Sequence, residues 1–383
     1  MKIIFDREML YDAVNTAAPM ASSKNTIASI EGILLRTVDS EHCQICAYDL
    51  EKGFTTTLEC KVVEPGSYII NANKLSSIIK LMPFGDITID VDDKSGRTKI
   101  FCGKALFEVQ ALEGSDFPDF PQLSGDKGFK IKHEDLKNIL IKTSFAVAQN
   151  DARPALNGLF LKIEGNKITA VGCDGNRMAL YEQTCELENT GVTDDFNMQM
   201  ILPGKSVFEI IKLLSGGEET LKINMGRKNL IFFIKDYIFF TRLIDVEYVD
   251  YNRFIPKDSK IFVDVNTKDF DGAITRALLI TEDKQQGQAK SPVILTAKEN
   301  ILDVSSYSVT GRVSDEIFIH KDGEDIEMGF NCKFLKDAVS MCSDYDTLKI
   351  SMTSPLMSIT IEPVDIEEGR KYLLLVLPVR LNK

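Results

Sequence analysis

Residues 129–180 read as a strand, a helix and two more strands, and the same order of signals occurs three times along the chain at fixed spacing. Phe129 and Ile131 alternate with lysines as in a half-buried strand, and the apolar period then becomes helical at Leu136, Ile139, Leu140 and Val147. Asn157-Gly158 opens a strand at Leu159-Phe160-Leu161, and Glu164-Gly165-Asn166 turns into another at Ile168. Near the amino terminus Ile3 and Phe5 precede Leu10, Ala13, Val14 and Ala17, then Gly32-Ile33-Leu34-Leu35. Leu136 follows Leu10, and Gly158 follows Gly32, by the same 126 residues. A third copy runs from Val263 through Phe270, Ala273, Ile274 and Ala277 to Pro292-Val293-Ile294, with Phe270 and Pro292 each 134 residues beyond their counterparts. Chance apolar matches do not hold one offset across a strand, a helix and a second strand. The chain is therefore three tandem domains.

Each copy is itself doubled. In the first, a second helix on Leu75, Ile78, Ile79 and Met82 follows a strand at Tyr68-Ile69-Ile70; in the second, Ile210-Ile211-Lys212-Leu213 repeats Ile78-Ile79-Lys80-Leu81. The third has its second helix at residues 333–342. Proline- and aromatic-rich Asp116-Phe117-Pro118-Asp119-Phe120-Pro121 breaks regular structure and marks a linker, echoed by Val249-Asp250-Tyr251-Asn252-Arg253. The expected domains are 1–124, 125–254 and 255–383. Six strand-helix-strands units give an α+β architecture with helices on one face of antiparallel sheets. Such sheets expose edges at both ends of the chain, which a second copy can cover, so the repeat suggests a ring.

The opening MKIIFDREML is too mixed for a signal peptide, and no apolar run is long enough to span a membrane, which predicts a soluble cytoplasmic chain. Eight cysteines fall inside apolar patterns without disulfide-framework spacing and read as reduced, buried thiols. The net charge of −12 argues at face value against nucleic acid, but a non-uniform field can place a basic inner surface on an acidic body. Lysines recur on the helices: Lys74 and Lys80, Lys137 and Lys142, Lys205 and Lys212, then Arg276 and Lys284, with Lys24 in a polar loop. Each alone reads as a solvated helix face. If the helices face one cavity, together they form a positive lining for phosphate backbones without base readout.

Catalytic signals are weak. Cys43-x-x-Cys46 beside His42 lacks a second ligand pair, and in a strand the two thiols point apart. None of the three histidines has a nucleophile turn near it, and no phosphate-binding glycine loop occurs. Asp194-Asp195 and Glu218-Glu219 lie in polar, loop-like runs. Cys173-Asp174-Gly175-Asn176-Arg177-Met178 is the most distinctive stretch; by itself it reads as a tight turn with Gly175 at positive φ and Arg177 met by a local carboxylate. The apolar tail at residues 372–377, followed by Pro378-Val379-Arg380-Leu381, packs against something, since tails are normally polar.

These residues carry a resemblance to the bacterial DNA polymerase III beta subunits, the sliding clamps. It rests on Arg153-Pro154-Ala155-Leu156-Asn157-Gly158, Asp174-Gly175-Asn176-Arg177-Met178-Ala179, the Phe117-Pro118-Asp119-Phe120-Pro121 linker and Leu377-Pro378-Val379-Arg380-Leu381, and it spans essentially the whole chain. The resemblance implies a non-catalytic processivity factor without cofactor or metal: a head-to-tail homodimeric ring of DNA-clamp domains around duplex DNA, helices lining the hole. It implies a pocket for short peptides carrying a glutamine and a leucine-phenylalanine pair, built by Arg153, Leu156, Cys173, Gly175, Asn176, Arg177 and Met178 with Val249, Arg253, Phe254, Leu356, Ser358, Leu375, Val376, Leu377, Pro378, Val379 and Arg380. Phe107 of one copy would meet Leu279 and Ile280 of the other. Implied partners are the clamp loader, the replicative polymerase alpha subunit, translesion polymerases, mismatch-repair proteins and ligase. Asn176, Val249 and the Asn382-Lys383 extension depart from the family's frequent histidine, proline and terminal leucine. Arg177→Ala combined with removal of residues 377–383 is then expected to abolish peptide binding. The rival readings are a repeat-built scaffold that never encircles DNA, and a metalloenzyme using His42, Cys43 and Cys46.

Overall fold

The computed structural model describes residues 1–22, 27–192, 197–281, 291–309 and 311–381. They group into two compact units, Met1–Glu134 with Leu187–Phe196 and Phe208–Leu243, and Asp135–Glu186 with Asn197–Val207 and Ile244–Lys383. Each unit carries one antiparallel sheet, of 14 strands in the first and 13 in the second among the described residues. The six expected helices are α1 (Arg7–Ala17), α2 (Ala72–Leu81), α3 (His133–Ser144), α4 (Gly204–Leu213), α5 (Thr267–Thr281) and α6 (Cys332–Ser340). Their apolar stripes are buried as the periodicity requires: Leu10, Ala13, Val14 and Ala17 in α1, and Phe270, Ala273, Ile274 and Ala277 in α5. Side-chain caps start four of them, with Asp6 accepting from the Glu8 and Met9 amides, Asn71 from Lys74, Asn266 from Lys268 and Asp269, and Asn331 from Lys333. Val147 is buried but lies past the end of α3, where its amide bonds the Ser144 carbonyl.

Strand pairing shows how the doubled copies are assembled. The leading strand of each half joins the sheet of the other half: Lys2–Phe5 pairs with Ile87–Val91, and Ser67–Asn71 with Gly32–Thr37. The same exchange recurs as Lys127–Lys132 with Thr220–Met225 and Asn197–Pro203 with Gly158–Glu164, then as Ile261–Asn266 with Thr347–Met352 and Ile326–Phe330 with Val293–Lys298. In the first and third copies a further pairing joins the halves, Ser67–Asn71 to Ala105–Glu113 and Ile261–Asn266 to Arg312–Asp322. The middle copy has no such join among the described residues, so its halves belong to different sheets.

Neighbouring copies are joined by one repeated rule. The third strand after a copy's first helix pairs with the third strand after the next copy's second helix: Lys52–Glu59 with Tyr237–Arg242, and Arg177–Thr184 with Arg370–Val376. The third copy's equivalent, Arg312–Asp322, has no next copy. Residues 312–318 pair only with Ile301–Tyr307, and residues 105–110 of the first copy pair only with Arg97–Cys102. Each leaves one edge open among the described residues.

The two expected linkers are packed straps. Phe117 is buried, and Phe120 sits edge-on to Tyr48 and Phe240 at 5.5 and 5.0 Å between ring centroids. In the other unit Tyr248 stacks on Phe160 at 4.9 Å and donates its hydroxyl to the Val171 carbonyl.

Candidate functional site

A cleft of about 290 Å³ opens in the second unit. Its floor is Leu156, Cys173, Met178 and Leu375, all nearly inaccessible, and its rim is Phe254, Leu356 and Leu377, which are 47%, 69% and 42% exposed. The floor belongs to a core cluster that includes Phe160, Val171, Leu180, Ile201 and Leu373, so it is held rigid from beneath. Val249, Ser358, Gly175 and two arginines complete the lining. A concave apolar surface with a few fixed polar groups suits an extended peptide with large apolar side chains.

Turn chemistry builds the polar side. Strands Lys167–Cys173 and Arg177–Thr184 form a hairpin whose turn places Gly175 at φ +88°, a conformation side chains other than glycine rarely adopt. The Asp174 carboxylate accepts the Asn176 and Arg177 amides at 2.8 and 3.0 Å. The Asn176 carbonyl accepts the Leu377 amide at 2.8 Å, which ties the tail to the turn. Pro378 and Val379 then pair with Phe330 and Gly329. The apolar tail, expected to pack against something, thus runs as Arg370–Val376 between the strands Arg177–Thr184 and Ile359–Pro363, and its end is held by this turn and the strand Ile326–Phe330.

Arg177 is more than a lining residue. Its guanidinium donates to Asp174 at 3.0 Å, to Asp337 of α6 at 2.5 Å and to the Phe145 carbonyl at 2.8 Å, and it lies over the Phe334 ring at 4.7 Å. With 12% of the side chain accessible, it latches three elements together. Removing it would leave two carboxylates without their cation, so Arg177→Ala should cost about 3 kcal/mol of stability, measurable by denaturant melts. That loss makes it a poor probe of ligand contact. Arg153 is the accessible cation: it forks onto Asp151 at 2.9 and 3.0 Å, with its side chain 60% exposed and its Nη2 packed over Gly175.

The charge of this cleft should not change near neutrality. Hydrogen bonds from Arg153 hold Asp151 down at about 2, so the bridge is present above the ordinary carboxylate range and lost only as pH falls towards that value. Burial pushes the Cys173 thiol above its ordinary value, so it stays neutral as pH rises through that value. Ligand affinity is therefore expected to vary less than about twofold between about pH 5 and pH 8. Anisotropy titrations across that range check this; a tenfold change would contradict it.

Of the eighteen residues expected here, twelve line the cleft. Asn176 contributes backbone, Arg253 is exposed and paired with Asp250, and Val376 is fully buried. Pro378 is in the tail strand, while Val379 and Arg380 line a neighbouring groove. Asp174 is the local carboxylate expected beside Arg177, whereas Asp337 and Phe334, which also hold it, were not anticipated because their pairing with it is long-range.

The expected phosphate-facing cations divide. Lys74, Lys80 and Lys205 are exposed on α2 and α4, and Lys137 is half-buried on α3. Lys212 is exposed beside Glu209 at 3.2 Å, and Arg276 is paired with Asp315. Lys142 departs from the expectation: it is buried, and its ammonium donates to the Met341 carbonyl at 2.7 Å and Asp344 at 2.9 Å. An ammonium so engaged is a structural tie within its unit. Lys24, Lys284, Asp194-Asp195 and Asn382-Lys383 lie outside the described residues. Phe107 is 39% exposed on its open-edged strand, Leu279 is 75% exposed on α5, and Ile280 is half-buried. At the rival metal site, His42 bonds Asp39 at 2.9 Å and burial raises the Cys46 thiol to about 11. No group of three metal-ligating side chains occurs among the described residues, nor any helix long and apolar enough to cross a membrane.

Comparison with known proteins agrees along the whole chain. Three family models match in order: the DNA polymerase III beta subunit N-terminal domain over residues 1–121, its central domain over 130–250 and its C-terminal domain over 252–378. The beta sliding clamp of Bacillus subtilis (strain 168) is 29% identical, the match covering 99% of this chain and 100% of the relative. That of Salmonella typhimurium is 26% identical over the full length of both. Among solved structures, the Bacillus subtilis DNA polymerase sliding clamp superposes with a TM-score of 0.89 and a DNA polymerase III beta subunit from Eubacterium rectale with 0.88. Both are 28% identical, with complete coverage of both chains. The chain belongs to the DNA polymerase III beta subunit family, the DNA sliding clamps, which are non-catalytic processivity subunits of the polymerase.

Proposed function

We propose that two copies of this chain close head to tail into a ring around duplex DNA, and that the cleft tethers replication and repair proteins to it. The observation that carries the ring is the pair of open edges at residues 105–110 and 312–318. The rule joining first copy to second and second to third leaves these two strands as the remaining pair, and among the described residues of one chain their outer edges are open. Pairing each with the other strand of a second copy satisfies both edges at once, with Phe107 packing against Leu279 and Ile280. The three domains, 1–124, 125–254 and 255–383, then become six around the ring.

Lys74, Lys80, Lys137, Lys205, Lys212 and Arg276, with Lys24 and Lys284, face the DNA in this reading. Diffuse phosphate contacts without base readout permit sliding, and the net charge of −12 keeps DNA off the exterior. The cleft takes peptides with a glutamine and a leucine-phenylalanine pair from the clamp loader, the polymerase alpha subunit, translesion polymerases, mismatch-repair proteins and ligase. Tethering makes each partner's DNA binding effectively intramolecular. The setting is the cytoplasm. The test of closure is mass in solution: sedimentation should give twice the 42.8 kDa chain mass, and a monomer at micromolar concentration would favour a protein-binding scaffold.

A further inference from the structure

Beyond the Leu356 rim lies a second groove of about 840 Å³, and Leu356 is a wall of both. Along it runs the strand Ile326–Phe330. One side of that strand is paired throughout with Val293–Lys298, but on the other only Gly329 and Phe330 are taken, by the tail. Leu381 closes over Gly329, where an added Cβ would come within 2.6 Å of its methyl carbon. Among the described residues, 326–328 keep an unpaired edge, facing Thr353, Ser354 and Pro355 across the groove. Glu324 and Glu327 are exposed along it and outnumber the exposed Arg380 of the tail, and the third acid, Asp325, is held ionised by Lys321 at 2.9 Å. The Thr353 hydroxyl oxygen is shielded from solvent and has no hydrogen-bond partner among the described residues. A wide groove with a bare strand edge, an acidic rim and an unmet hydroxyl is built for backbone pairing rather than for a buried side-chain anchor.

We propose that this groove takes an extended, basic segment flanking the motif that a partner places in the first cleft. The segment adds a short strand to residues 326–328 and sets lysine or arginine side chains against Glu324 and Glu327. The shared Leu356 makes the two sites continuous, so one peptide crosses from the apolar cleft into the acidic groove. Partners with the same anchoring motif are then ranked by the charge and extension of their flanks. This rests on the reading of the first cleft as a peptide site.

The test uses fluorescein-labelled peptides carrying the glutamine and leucine-phenylalanine motif, each with four residues added at one end or the other: Lys-Val-Lys-Val, Ser-Gly-Ser-Gly, or Lys-Val-Lys-Val with methylated backbone amides. Anisotropy against the full chain should show the basic flank at one end binding about tenfold tighter than the neutral flank. That gain should vanish in Glu324→Gln/Glu327→Gln and shrink on amide methylation, while the neutral-flank peptide binds both proteins equally. Equal affinity of basic and neutral flanks overturns the groove and leaves the cleft standing. So does a gain that survives the double variant, which would mean attraction to the acidic body at large. If neutral-flank peptides fail to bind at all, the cleft reading falls and the groove with it. A changed sedimentation mass in the double variant would assign the groove to a contact between copies and overturn the proposal.

Discussion

Phe107→Asp combined with Leu279→Asp is expected to convert the chain from dimer to monomer at micromolar concentration while leaving its melting curve nearly unchanged. Both side chains are substantially exposed in the single chain, at 39% and 75%, so a carboxylate there is solvated and costs the fold little. In the proposed ring both are buried at the junction of the open edges. An unpaired carboxylate buried there costs at least about 3 kcal/mol, more than 100-fold in the dissociation constant. Sedimentation of the double variant beside the parent checks this. An unchanged mass would mean the open edges are not the junction.

Leu377→Asp is expected to weaken binding of motif peptides by at least about 100-fold without altering the dimer. Leu377 stands on the cleft rim, half in solvent, and its backbone amide holds the Asn176 carbonyl through an interaction the substitution keeps. The cleft floor is apolar, so a charge at its mouth must either stay solvated and block the ligand or be buried without a partner. This variant replaces the combination of Arg177→Ala with loss of residues 377–383. That combination would break the latch to Asp174, Asp337 and Phe145 and strip the tail strand from Gly329 and Phe330, confusing ligand contact with local unfolding. Unchanged affinity with intact mass would remove the cleft from the account.

The sequence was most informative where the physics is local. Period and offset placed six helices and the strands beginning at Gly32, Gly158 and Val293, because an amphipathic stripe states which face is buried. They do not state against what. The join between Lys52–Glu59 and Tyr237–Arg242 spans most of two copies, and nothing in either strand names the other. The cleft residues came from resemblance to a family; the physical reasons for them came from the structure, in the φ of Gly175 and the Leu377 bond to Asn176. Lys142 was misjudged because a lysine on a helix flank reads the same whether it meets solvent or Asp344. Its place three residues beyond buried Ile139, on the same helix face, was the available signal. The acidic groove had none, since residues 326–328 look like any strand and nothing in them states that the tail pairs only with Gly329 and Phe330 among the described residues.

The central claim is topological, so the deciding measurement is retention on DNA that has, or lacks, ends. The chain is loaded onto nicked circular plasmid with the proposed clamp-loader partner and ATP, then followed by gel filtration before and after one cut in the plasmid. Retention on the circle and loss on linearisation is the predicted result, because phosphate contacts this diffuse cannot hold a ring that is free to slide off an end. Retention on both forms would mean ordinary electrostatic binding and would contradict the ring.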